Sequence, residues 1–208
     1  MFKNKKEQNI NTKIQIFKGR LRSQYEKSGF PFGGVELHRD TFIEKYDKIS
    51  KPINVILNKI RNKQNINVML FGKDMQKKYD IACYLFNVYF SYNCRKRCID
   101  YNNYDHLKEA RWIEARGWLS NFNRDPLLED ARHIKFVVFF DFFPCPQNLE
   151  HIRMFQSILT FRAFNKVNTI FDAGSNFKQL FNVNQKVFDD SYSGTILKQY
   201  DKIEVDKC

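Results

Sequence analysis

Apolar side chains recur at helical spacing from Thr41 to Lys63: Phe42, Ile43, Tyr46, Ile49, Ile53, Ile56, Leu57 and Ile60. This predicts a helical element that Pro52 splits or kinks. Beyond it, short apolar runs alternate with amphipathic stretches. Ile66 to Phe71 predicts a buried strand, and Gln76 to Tyr92 a helix turning Ile81, Ala82, Leu85, Phe86 and Tyr89 inward. Arg97 to Tyr101 reads as a short second strand, and Asp105 to Phe122 as a helix carrying Trp112 and Trp118. Ile134 to Asp141 is a central strand and Asn148 to Phe164 a helix with Ile152, Phe155, Ile158, Leu159 and Arg162. Val167 to Asp172 is a strand, Phe177 to Phe181 a short helix, and Ile203 to Val205 a last strand. Strands that are apolar throughout and alternate with helices predict an α/β fold, its parallel sheet sandwiched by helices.

At 208 residues the chain is long enough for one full core and a short appendage. The turn-rich stretch Ser28-Gly29-Phe30-Pro31-Phe32-Gly33-Gly34 marks the one plausible boundary. The expected organisation is a basic N-terminal arm and linker over 1–35, then a single domain over 36–208. Net charge sharpens this division. Residues 1–24 carry Lys3, Lys5, Lys6, Lys13, Lys18, Arg20 and Arg22 against the single acid Glu7, half of the chain's excess of +12. Such an arm suits DNA, RNA or an acidic protein surface, with a merely solvated tail as the alternative. Arg95-Lys96-Arg97 forms a second basic cluster, interleaved with Tyr92, Tyr101 and Tyr104 in a pattern that would suit base stacking.

Other features narrow the field. The 21 Phe and 10 Tyr against 8 Gly and 5 Pro are what an AT-rich genome produces, and they report ancestry more than function. The longest apolar block, Phe136 to Phe140, is strand-sized, and no secretory apolar core follows the N-terminal lysines. The expectation is therefore a cytoplasmic chain with no membrane span. Five cysteines, without a CxxC, predict free thiols in a reducing compartment. Cys94 and Cys98 lack a second ligand pair, and the four histidines are scattered, so no metal site is expected. Cys145 follows the central strand, but no activating partner is apparent and a structural thiol is expected.

The chemistry concentrates after the first strand, in Gly72-Lys73-Asp74-Met75-Gln76-Lys77-Lys78-Tyr79. In a phosphate-binding loop, glycines let the backbone wrap the phosphates, a lysine neutralises their charge and a hydroxyl holds magnesium. Against GxxxxGK[ST], Gly72 fits the first glycine and Lys78 the lysine. Lys77 replaces the second glycine, and Tyr79 the hydroxyl.

The order of these pieces resembles the DnaC/DnaI/IstB family of AAA+ P-loop ATPases, best known as replicative helicase loaders. The likeness runs from about Arg22 to Val205. It includes Tyr25…Gly29-Phe30-Pro31, Leu70-Phe71-Gly72 with Lys78 and Ile81-Ala82, and Phe136 to Phe142 at the Walker B strand. Arg162, followed seven residues later by Thr169-Ile170-Phe171, repeats a scaffold spacing of the family, and Leu180 matches the leucine of the short helix beyond. The resemblance implies an AAA+-like fold and a partner that is a replicative helicase, DNA, or both, in replication or a phage or mobile-element process.

The departures fall on chemistry. Phe140 and Asp141 leave one Walker B acid where two are needed, with Asp141 as the residual carboxylate. Asp172-Ala173-Gly174 replaces the sensor, and Ser191-Tyr192-Ser193-Gly194 lacks the arginine finger. The expectation is a pseudo-ATPase with no catalytic residue. Gly72, Lys77 and Lys78 remain as a nucleotide-binding remnant, able at most to hold ATP or ADP without efficient hydrolysis. Two alternatives stay open: an atypical ATPase loader that still uses nucleotide, and a basic nucleic-acid or protein interaction module in which the loop plays no part.

Overall fold

The computed structural model describes residues 23, 25–31, 39–47, 50–94, 109–114, 131–141, 149–174 and 197–208. The long helical pattern resolves into α1 (Arg39–Tyr46) and α2 (Lys51–Arg61). Pro52 stands at the start of α2, where its missing N–H costs no helical hydrogen bond, so it separates the two helices rather than kinking one. Then follow β1 (Asn67–Phe71), α3 (Met75–Tyr89) with a π-turn over Phe90–Cys94, β2 (Ala110–Glu114) and β3 (Phe136–Phe140). The chain continues through α4 (Leu149–Phe164), β4 (Asn168–Asp172) and β5 (Asp201–Glu204), with 3₁₀ turns at Leu197–Gln199 and Val205–Lys207.

The five strands form one sheet in the order β2-β3-β4-β1-β5, every pair parallel. Parallel strands bring all their C-terminal ends to one rim, the edge at which such sheets gather ligands. Register aligns that rim: Leu70 stands opposite Asp172, and Phe71 opposite Glu204.

Period-two alternation splits the strands between two cores. Val68 and Leu70 of β1 and Phe136, Val138 and Phe140 of β3 face α2 and α3. Met69, Val137, Phe139 and Phe171 face α4 through Phe155, Ile158, Leu159 and Ala163. α3 is buried on almost all sides, because α1 and α2 pack on it as well as the sheet. There Phe42 stacks on Tyr84 with ring centres 4.7 Å apart.

Three sequence expectations are corrected. Residues 110–114, expected within a helix, are β2, an edge strand whose Ala110 and Trp112 point into the core. The stretch expected as linker is partly core: Phe30 stacks on Phe86 at 4.6 Å, and Tyr25 packs on Phe90 at 4.4 Å. Trp112 N–H donates to the Ser28 carbonyl at 2.8 Å, docking this turn on β2. Gly29 is obligatory in it, since its φ is +74° and a Cβ would lie 2.8 Å from the Trp112 carbonyl oxygen. The last strand is β5, Asp201–Glu204, displaced by two residues from its expected start. The expected strand over 97–101 and short helix over 177–181 lie outside the described residues.

Candidate functional site

The rim of the sheet between β1 and α3 holds the loop that the sequence singled out, but in a form a phosphate-binding loop does not take. Only Gly72, Lys73 and Asp74 separate β1 from α3. Asp74 caps the helix, its carboxylate accepting from Lys77 N–H at 2.9 Å. The helix thus begins three residues before Lys78, which sits a full turn inside it.

From that position Lys78 turns into the core. It shares a helix face with Ala82, Leu85 and Tyr89, all buried, and only 1% of its side chain is exposed. Its ammonium meets Asp172 Oδ1 at 2.7 Å, and Asp172 is fully buried at the end of β4. The same carboxylate oxygen accepts Gly174 N–H at 2.9 Å, and the Gly174 carbonyl accepts Gly72 N–H at 3.0 Å. The expected sensor segment and the expected phosphate loop are therefore welded together.

The backbone N–H groups that a phosphate would need face a carboxylate instead. Lys73 N–H donates to both Asp206 oxygens at 3.1 and 3.0 Å, and Asp74 N–H to Oδ1 at 3.2 Å. These N–H bonds, first that of Lys73, hold the Asp206 carboxyl below its ordinary pKa, with the charges of Lys73 and Lys77 adding to the effect. Gly72, at φ +137°, admits this approach: a Cβ there would lie 2.6 Å from Val205 Cγ2 and 3.0 Å from Asp206 Oδ1. Lys77 turns away from the loop, donating to the Cys208 carbonyl at 2.5 Å with its ammonium 5.4 Å from the centre of the Tyr46 ring.

Tyr79 and Phe140, expected in place of the magnesium-binding hydroxyl and a Walker B acid, belong to a cluster of aromatic rings. Tyr79 meets Phe140 edge-on at 5.4 Å and Trp112 at 5.7 Å, while Trp112 and Phe140 stack at 5.5 Å. Burial pushes the Tyr79 phenol well above its ordinary pKa. Asp141 closes β3 in a left-handed conformation, φ 55°, and is half-buried. Among the described residues, no group of three His, Cys, Asp or Glu side chains could hold a metal ion. Gly72, Lys77 and Lys78 are each engaged by this chain's own residues: Gly72 by Val205 and Asp206, Lys77 by Cys208, and Lys78 by Asp172.

Arg162 and Thr169 lie at the opposite end of the strands. The buried guanidinium donates from Nε to Thr169 Oγ1 at 2.9 Å, and from its remaining nitrogens to the carbonyls of Ala131, Ile134 and Asn168 at 2.5 to 2.7 Å. Burial lowers its pKa to about 9, which leaves it cationic at neutral pH. It ties α4 to the entries of β3 and β4. Lys3, Lys5, Lys6, Lys13, Lys18, Arg20, Arg22, Arg95, Lys96 and Arg97 lie outside the described residues.

Two solved structures share this architecture. DnaI matches with a TM-score of 0.56 and 12% identity, over 84% of this chain and 94% of that one. The AMPPCP-bound DnaA of Aquifex aeolicus matches with a TM-score of 0.51 and 11% identity, over 76% of this chain and 47% of that one. The fold is that of the AAA+ P-loop NTPases. No family model matches the chain, and no curated protein matches it in sequence. The likeness is one of fold, while the residues after β1 make the contacts described above with the rest of this chain.

Sequence reasoning overlooked the roles of three acids here, Asp172, Asp206 and Asp80. Asp172 was readable as an acid closing an apolar strand, and Asp206 was not readable at all. Asp80, buried on α3, accepts from Lys45 at 2.5 Å, from the Tyr46 hydroxyl, and from Gln76 at 2.9 Å, fastening α1 over the loop. Its carboxylate adds to the burial that raises the Tyr46 phenol's pKa. Among the described residues, no helix is long and apolar enough to cross a membrane.

Proposed function

We propose that this chain is a non-hydrolysing, DnaC-like accessory protein of DNA replication or of a mobile element, working by binding a replicative helicase, DNA, or both. The observation that carries the reading is the commitment of Lys78 to Asp172 in a buried pair. A P-loop lysine contributes by offering its charge to the β/γ-phosphates, and this one is spent inside the protein. Tyr79 and Phe140, in place of a magnesium-binding hydroxyl and an acid, favour the same conclusion. The likeness of the fold to DnaI supports a helicase as the protein partner. The seven basic residues of the arm supply the charge for DNA or for an acidic helicase surface.

On this reading, binding is independent of nucleotide. The purified chain, mixed with a replicative helicase or with DNA at moderate salt, should associate equally with and without Mg²⁺-ATP. Neutralising Lys3, Lys5, Lys6, Lys13, Lys18, Arg20 and Arg22 should weaken DNA binding by about tenfold or more and flatten its salt dependence. Absence of binding to both partners, or binding that requires ATP, would remove the proposal's basis.

A further inference from the structure

The turn Val205–Lys207 follows directly on edge strand β5 and folds back over the loop after β1. Three contacts seat it there. The Asp206 carboxylate takes the N–H groups of Lys73 and Asp74, at 3.0 to 3.2 Å. Val205, fully buried, fills the space beside Gly72. Lys77 reaches past them to the Cys208 carbonyl. β5 sets the position, because Phe71 pairs with Glu204 and places the next two residues against Gly72 and Lys73.

We propose that this turn is a built-in plug: the Asp206 carboxylate occupies, as an intramolecular anion, the cradle of amides that the AAA+ frame forms after its first strand. The carboxylate matches the chemistry of the cradle. It carries a negative charge, offers two oxygens to two adjacent N–H groups, and lies at the positive end of α3. The plug explains a feature that hydrolysis does not. Gly72 is required because Val205 and Asp206 approach where a side chain would stand, not because a phosphate must be wrapped.

The plug is closed at neutral pH. A carboxyl whose folded pKa is depressed contributes stability above its unfolded value, near 3.8, and loses that contribution as pH falls through the lower folded value. The charges that favour its ionised form are Lys73 and Lys77; Asp74 caps α3 beside them, and Glu204 and Lys207 on its own turn pair with each other. Protonation therefore opens the plug as pH falls below the ordinary carboxyl value. The proposal concerns the corner alone and does not depend on which partner the chain binds.

The test compares the full wild-type chain with Asp206→Ala by thermal unfolding, titrating inorganic phosphate against sodium chloride at matched ionic strength. Asp206→Ala should unfold a few degrees below wild type and regain that loss saturably with phosphate, while wild type responds to phosphate no more than to chloride. An equal response of both proteins, or of neither, would overturn the proposal. Asp206→Asn, which keeps the shape but loses the charge, serves if the alanine variant folds poorly. Amide exchange at Lys73 and Asp74 should then be about tenfold faster than in wild type. Unchanged protection of those two amides would equally refute the plug.

Discussion

Lys78→Ala is expected to lower folding stability by about 3–5 kcal/mol, since it leaves the Asp172 carboxylate charged and uncompensated in the interior. For a chain of this length that corresponds to about 6–20 °C in melting temperature. The pair is imperfectly satisfied to begin with, because Asp172 Oδ2 is buried without a hydrogen-bond partner. Removing both charges together should therefore cost far less than removing one. Lys78→Met with Asp172→Asn is expected to lie within about 2 kcal/mol of wild type, the asparagine still accepting Gly174 N–H. Urea unfolding of the two single variants and the double variant measures the coupling. A lysine kept for phosphate would behave differently: its alanine variant would be nearly as stable as wild type, with no recovery in the double variant.

The second large effect is expected at Arg162. Alanine there removes the donors to Thr169 Oγ1 and to the carbonyls of Ala131, Ile134 and Asn168 in one step. Bonds to a charged group contribute about 1.5–3 kcal/mol each, and they are not additive within one side chain. A loss of about 4 kcal/mol or more is therefore expected, a large share of the 5–15 kcal/mol that holds a typical domain together. Arg162→Lys should recover only part of it, because one ammonium cannot spread its donors over acceptors on β4 and on the segment before β3. Soluble yield and urea midpoints would show the order wild type, lysine, alanine. Equal stability of the lysine variant and wild type would mean that charge alone, and not the planar fork, holds this corner.

The sequence disclosed the frame better than the site. β1 and β3 are legible because they are buried on both faces and hence apolar throughout, and α2 because Ile53, Ile56, Leu57 and Ile60 mark one helical face. β2 was hidden. Its five residues alternate as an edge strand does, and Trp112 and Ile113 fit a helical pattern equally well when read in a window of 18 residues. At the corner, Lys78 was read against a motif, although its spacing to Ala82, Leu85 and Tyr89 already put it on the inward face of α3. The partner that explains its burial, Asp172, lies 94 residues away, and Asp206 lies 133 residues from Lys73. Contacts at such separations leave no periodic trace. They arise only when β4 and β5 take their places on either side of β1.

At the end of β1 the chain's own residues engage one another: Lys78 is drawn inward to Asp172, the Asp206 carboxylate sits on the Lys73 and Asp74 amides, and Tyr79 packs on Phe140. Titration of the wild-type chain with Mg²⁺-ATP by calorimetry tests that account most directly. No saturable binding is predicted up to about 1 mM nucleotide, an affinity of about −4 kcal/mol at best. Saturable binding in the micromolar range would contradict it.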